Sequence, residues 1–284
     1  MLTEHAIDSV VRAALIEDAP WGDLTSSVLI PAEATATADL VAREPGVFSG
    51  GAVFAAAFRL TDARCRVTLL VADGAVFTAG AVLATVSGPA RALLQAERIG
   101  LNFVQRTSGV ATLTARYVAE VAGTRARIVD TRKTTPGLRA LERQAVRDGG
   151  GHNHRFSLSD AVMAKDNHLA VLTQNGVDLT TALLRVRAAL SHTSHLEVEV
   201  DRADQIEAVL AAGVDTIMLD NFTPEALRQG VTQVNGRAIV EASGGVSLST
   251  VRQIALSGVD VISVGALTHS APALDLGLDV AVQG

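Results

Sequence analysis

From about residue 125 onward the chain repeats one unit: a short apolar run, a polar residue at its end, then an amphipathic helical stretch. The runs lie at 127–130, 161–164, 195–200, 216–219, 238–240 and 259–264. Between them, 203–212 and 248–256 carry apolar residues at helical spacing, and Gly213 and Gly258 come next as helix stops. Serial β-then-α units imply parallel strands joined by helical crossovers, hence an α/β fold with a closed or nearly closed barrel. A doubly wound open sheet is the alternative, because periodicity cannot count closure.

A barrel gathers its functional groups at the C-terminal ends of its strands. The runs here end in Asp130, Thr131, Arg132 and Lys133; Lys165 and His168; Glu199 and Asp201; Asp220 and Asn221; Glu241 to Gly245; and Gly265 to His269. Every run thus terminates in charge, hydroxyl or glycine, a regularity that ordinary polar loops rarely produce.

Residues 1–108 read as a separate α/β domain, and 109–284 as the barrel domain, with the C-terminal tail expected to pack back on the first. The pattern predicts a helix near 4–16, a turn at 18–23, a strand at 35–43, and short strands within 67–86 broken by Gly74 and Gly80. It predicts one helix at 89–104 and another at 109–122. In the former, Leu93, Leu94, Ile99, Phe103 and Val104 form an apolar stripe from which Arg98 projects.

Of 24 basic residues only two are lysine, Lys133 and Lys165, both mid-chain. A chain so committed to arginine keeps lysine where a compact ammonium is needed instead of a planar fork, which marks both as site candidates. The net charge of −6 argues against a general nucleic-acid or membrane-surface binder. Yet Arg125 to Arg155 holds eight basic residues against three acids, a concentration suited to a small polyanion. One cysteine, Cys65, permits no internal disulfide and reads as a small buried apolar residue. With no apolar stretch of about 18 residues and no basic-then-apolar leader at the N-terminus, a soluble cytoplasmic protein is expected.

The densest segment is DTRKTTPGLR at 130–139: guanidinium forks and a mobile ammonium for carboxylates and phosphates, hydroxyls from Thr131, Thr134 and Thr135, and a Pro136–Gly137 turn into a helix. That helix carries Arg139, Arg143 and Arg147 on one side, toward a site or toward solvent. The glycine-rich loop 149–151 ends in His152, Asn153, His154 and Arg155. The two histidines match no standard zinc spacing, and His192 and His195 read as surface residues. Glu199 and Asp220 end adjacent strands, where carboxylates bind ribose hydroxyls, hold Mg²⁺ against phosphates, or stabilise an oxocarbenium-like centre. The glycines of 243–245 and 264–266 come after the last strands, the usual place for a phosphate on backbone N–H groups.

These residues resemble a known family. Glu97–Arg98 with Leu101, Asn102 and Phe103, then DTRKTTPGLR, GGGHNHR at 149–155, KDNH at 165–168, EVEVD at 197–201, LDNF at 219–222, EASGG at 241–245 and VGALTH at 264–269 are similar to the motifs of quinolinate phosphoribosyltransferases, in family order. The resemblance implies an N-terminal α/β sandwich domain, an incomplete α/β barrel, and a homodimer in which Arg98 enters the partner's site. It implies transfer of phosphoribose from phosphoribosyl pyrophosphate to quinolinate with decarboxylation. By the same resemblance Arg98, Arg132, His154, Arg155 and Lys165 bind the quinolinate carboxylates, and Lys133, beside Thr131, contacts the sugar-phosphate donor. Glu199 and Asp220 bind ribose and Mg²⁺. Ser243, Gly244, Gly245, Val264, Gly265 and Ala266 hold the 5-phosphate, with His269 at the rim. One departure is FSLS at 156–159, where the family more often shows Leu-Gly-Leu. The rival expectations are a same-fold paralogue acting on another aromatic acid, a Schiff-base aldolase using Lys165, and a non-catalytic binding protein. Asp166 and the arginines disfavour the apolar surround that a Schiff-base lysine needs.

Overall fold

The computed structural model describes residues 2–283. In chain order the first elements are α1 (Glu4–Asp18), α2 (Leu24–Leu29), β1 (Thr35–Ala42), β2 (Gly46–Val47), α3 (Gly51–Thr61), β3 (Arg66–Leu69), β4 (Val76–Phe77), β5 (Val82–Pro89) and α4 (Ala90–Glu120). Next come β6 (Arg127–Val129), α5 (Arg139–Asp148), β7 (Val162–Ala164), α6 (Asp166–Leu172), α7 (Leu179–Ala189), β8 (Leu196–Val200), α8 (Ile206–Ala211) and β9 (Thr216–Asp220). The last are α9 (Pro224–Val234), β10 (Ile239–Ser243), α10 (Val251–Ala255), β11 (Val261–Ser263), α11 (Ala266–His269) and β12 (Leu276–Gln283).

The chain forms two compact units that are not consecutive spans. One takes the described residues up to Ala115 together with Thr134–Gly150 and those from Leu267 onward; the other takes Arg116–Lys133 and Gly151–Ala266. The first therefore extends past the 1–108 stretch read from sequence, for reasons visible in its hydrogen bonds. β12 pairs along the whole of β1, antiparallel, in a sheet of order β12-β1-β5-β3. In α5, the fully buried Glu142 accepts from Arg106 Nε (3.1 Å) and from the Thr135 backbone (3.0 Å), tying 134–150 to α4. Along β1 exposed and buried residues alternate, the signature of a sheet with one face on a core. That core holds Leu40, Leu83, Leu93 and an edge-to-face Phe54–Phe58 pair with centroids 5.0 Å apart.

Where two helices are read from sequence, α4 is one helix of 31 residues. The polar stretch at its middle imitates a break, but those groups are satisfied sideways. Thr107 Oγ1 donates to the Ser49 carbonyl (2.6 Å), Ser108 Oγ donates to the same carbonyl (3.1 Å), and both residues are buried. α2, only six residues and capped by Asp23 accepting from Ser26 N (3.1 Å), directly follows the turn read at 18–23, in a stretch to which the sequence reading assigns no element.

The second unit carries a six-stranded sheet of order β6-β11-β10-β9-β8-β7, all neighbours parallel. From β7 to β11 each strand is laid beside its predecessor in one direction, and β6 completes the row by pairing with the last. A doubly wound sheet reverses direction midway, so this is an α/β barrel left open between β6 and β7. Gly213 (φ +69°) and Gly258 (φ +91°) adopt the left-handed conformation after α8 and α10, as helix stops do.

Candidate active site

The C-terminal ends of the barrel strands carry the charged groups, and hydrogen bonds define two levels of them. At the rim, Lys165 leaves β7 and its ammonium bonds Glu199 Oε2 of β8 at 2.5 Å. Asp220 ends β9 and faces Ser243 of β10 in register, and the Asn221 N–H donates to the Ser243 carbonyl (3.0 Å). Asn221 Nδ2 donates to Asp220 Oδ2 (2.6 Å). Gly244 must be glycine on two counts: its φ is +92°, and a Cβ there would lie 2.1 Å from Asn221 Oδ1. Val264 extends β11, its N–H bonded to the Val129 carbonyl (3.0 Å), which brings the Gly265–Ala266 turn beside the end of β6.

Deeper, Leu196, Val198 and Val200 alternate with Glu197 and Glu199, so both glutamates occupy the same face of β8. Glu197 and Glu241 of β10 are 3% exposed, and each sets Oε2 against His154 Nε2, at 3.2 and 3.4 Å. The Arg155 N–H donates to Nδ1 of the same ring (2.7 Å). Burial alone would push the His154 imidazole down, while the two carboxylates at Nε2 outweigh it and raise it; because Nδ1 accepts the Arg155 N–H, the proton they hold is the one on Nε2. Burial likewise pushes the Glu197 carboxyl up. The His154–Glu197–Glu241 group thus keeps a proton to much higher pH than a solvated imidazole does.

The loop that delivers His154 is docked on β6. His152 exchanges bonds with the Ile128 carbonyl and the Asp130 N–H, at 2.8 and 3.2 Å. Asp130, fully buried, accepts from Asn153 Nδ2 (2.6 Å) and from the His154 N–H (2.7 Å). Arg155 is anchored by the Ala161 carbonyl (3.0 Å), and burial first, then the Arg132 guanidinium, pulls it below its ordinary pKa. Like charges kept this close fit a pocket that receives an anion.

Thr131, Arg132, Lys133, His154, Arg155, Lys165, Glu199, Asp220, Ser243 to Gly245 and Val264 to Ala266 all belong to the barrel unit. Thr131 Oγ1 accepts from the Lys133 N–H (3.1 Å), and Lys133 is exposed. Arg98 and His269 belong to the other unit, both exposed; His269 Nδ1 lies 2.6 Å from Ser270 Oγ. Arg139 is half-buried with Nε donating to Thr134 Oγ1 (3.0 Å), whereas Arg147 is exposed and bonded to Gln144. His195 is exposed, with Nε2 2.9 Å from Thr216 Oγ1. Cys65 is buried, and burial lifts its thiol to about 11.

Glu197, Glu241 and Asp130 are the residues that motif reading quoted without giving a role. A signal for one of them, Glu197, lies in β8 itself. Parallel strands covered on both faces read as continuous apolar runs, so two glutamates alternating within Leu196–Val200 mark a polar barrel interior.

The chain matches the model for the quinolinate phosphoribosyl transferase C-terminal domain over residues 110–279, and the model for the N-terminal domain over 23–108. It belongs to the quinolinate phosphoribosyltransferase family. It is 44% identical over 291 residues to the nicotinate-nucleotide pyrophosphorylase [carboxylating] of Mycobacterium leprae, covering 99% of this chain and 100% of that one. It is 42% identical over 265 residues to a probable nicotinate-nucleotide pyrophosphorylase [carboxylating] of Bacillus subtilis, covering 93% and 90%. Among solved structures, NadC from Streptococcus pyogenes superposes with a TM-score of 0.94 at 39% identity, covering 100% and 99%.

Proposed function

We propose that this quinolinate phosphoribosyltransferase joins quinolinate to phosphoribosyl pyrophosphate at the open barrel end, releasing pyrophosphate and CO2 to give nicotinate mononucleotide. The reaction makes it a pentosyltransferase of pyridine nucleotide, and hence NAD, biosynthesis. The observation that carries this reading is the row of strand ends, with cations after β6 and β7, carboxylates at the ends of β8 and β9, and Lys165 bonded to Glu199.

Arg132, His154, Arg155 and Lys165 take the two quinolinate carboxylates, with Arg98 supplied by the other subunit of a homodimer. Lys133 contacts the sugar-phosphate donor. The turns at 243–245 and 264–266 take the 5-phosphate, with His269 at the rim. The quinolinate nitrogen displaces pyrophosphate from the anomeric carbon, forming the N–C bond as the C–O bond breaks. Positive charge develops on the sugar, and Glu199 and Asp220 stabilise it electrostatically. The new pyridinium then holds the electron pair left as the adjacent carboxylate departs as CO2, and a proton from solvent replaces it. The protein's part is positioning, with no covalent nucleophile.

Glu199 and Asp220 offer the hard carboxylate oxygens that suit Mg²⁺, although Lys165 and Asn221 already engage one oxygen of each. They would hold the ion largely through the bound pyrophosphate group, where it supplies charge neutralisation for the leaving group. No described helix is long and apolar enough to cross a membrane, and the reading places the enzyme in the cytoplasm.

Mixing two inactive variants tests the shared site. Arg98→Ala and Lys133→Ala, each alone, are expected to retain under about 1% of kcat/KM, losses of about 3 kcal/mol or more in transition-state stabilisation. Refolded together, they are expected to recover about a quarter of wild-type activity, because one site in each heterodimer is intact. No recovery in a confirmed mixed dimer would contradict the cross-subunit role of Arg98.

A further inference from the structure

We infer that Glu197 and Glu241 are positioning residues for quinolinate, acting as a two-carboxylate clamp on His154 that also fixes Arg155. They come from strands separated by β9, yet both point an oxygen at one ring nitrogen, at 3.2 and 3.4 Å. The ring's other nitrogen accepts the Arg155 N–H at 2.7 Å. The imidazole is therefore a rigid strut between the barrel floor and the backbone of a residue that carries a cation. Arg155 continues the line, its guanidinium bonded to the Ala161 carbonyl (3.0 Å) and set against Met163 Sδ (3.7 Å).

A pair of glutamates kept only for stability would be expected to saturate its own hydrogen bonds. Here Glu197 Oε1 and Glu241 Oε1 are buried and find no hydrogen-bond partner among the described residues. Leaving such oxygens unmet costs about 1–3 kcal/mol each, more when charged. The arrangement secures negative charge beneath a cluster of cations. Glu197 supports the charge on Arg155 while Arg132 opposes it. The clamp lets His154, Arg155 and Arg132 stand together before their dianionic ligand arrives. His154, Glu197 and Glu241 also form a donor set of a kind that divalent ions use, with ligand atoms within 4.8 Å of one another. The neighbouring guanidiniums disfavour an added dication there.

The inference rests on the proposed role of His154 and Arg155 as carboxylate ligands, and the test separates the two. Steady-state kinetics are measured for Glu197→Gln and Glu241→Gln, which keep shape and remove charge, for His154→Gln, and for the combination of His154→Gln with each. Each glutamine variant is expected to raise KM for quinolinate about tenfold while KM for phosphoribosyl pyrophosphate moves less than twofold. In the His154→Gln background the glutamate changes are expected to add less than twofold, since they act through that ring. If His154→Gln itself leaves KM for quinolinate unchanged, the ligand role fails. If His154→Gln raises it and both glutamate variants do not, the clamp alone fails. Failure of both glutamate variants to fold would also overturn the clamp, making the pair a stability element. So would stoichiometric metal in purified protein that disappears in Glu241→Gln.

Discussion

Gly244 shows how a single residue can be fixed by space and backbone together. Its φ of +92° costs a residue with a Cβ roughly 1–3 kcal/mol, and that Cβ would also meet the Asn221 backbone nitrogen at 2.8 Å, a contact no side-chain rotation relieves. Gly244→Ala is expected to fold, to lose more stability than the about 1–3 kcal/mol of its backbone conformation alone, and to raise KM for phosphoribosyl pyrophosphate more than tenfold, because the turn after β10 must shift. Thermal melts and kinetics check both; an unchanged KM for this substrate would remove 243–245 from the phosphate site. Neighbouring Gly245 differs: its φ is +58° but nothing lies within 4 Å of its would-be Cβ, so only its backbone conformation asks for glycine. At this scale the sequence draws attention to residue types unusual for their surroundings, as with the two lysines. It gives no role to Glu197 and Glu241, whose meaning depends on His154, more than 40 positions before Glu197.

Among the elements, the barrel strands were legible because apolar run, polar terminus and helical spacing recur six times, and repetition compensates for weak individual signals. Their order was not legible, since pairing of β6 with β11 joins stretches more than 130 residues apart. The long helix α4 was misread as two for a local reason. Thr107 and Ser108 look like helix breakers until their hydroxyls find the Ser49 carbonyl. β12 covers the edge of β1 across eight register pairs and buries Leu276. Removing the chain from Leu276 onward would bare that edge and lose a side chain that alone is worth about 2–5 kcal/mol when truncated in a core. The shortened protein is expected to melt at least 10 °C lower, or to lose cooperative unfolding in its first unit. An unchanged melting temperature would show that β12 is dispensable to the sheet.

For the whole molecule, the acidic net charge of −6 coexists with a local cationic site because the barrel places its basic loops and its buried carboxylates at one end. Electrostatic catalysis of this kind requires water exclusion and fixed charge more than a reactive side chain. That fits a chain whose only thiol is buried and lifted to about 11. The sequence reading divides the chain at 108 and sends the C-terminal tail back to the first part, with no such return for 134–150. The stretch 134–150 belongs with the first unit because Glu142 satisfies its bonds there, an outcome no local pattern encodes, whereas the residues from Leu267 onward join that unit through β12. The central claim is the coupled transfer and decarboxylation, and it is tested most directly with purified protein, phosphoribosyl pyrophosphate, Mg²⁺ and quinolinate labelled in its 2-carboxylate. Loss of quinolinate, release of pyrophosphate and labelled CO2 are predicted to appear in a 1:1:1 ratio. All three should cease when either substrate is omitted or Lys133 is replaced by alanine. Pyrophosphate release without labelled CO2, or turnover only with a different aromatic acid, would contradict it.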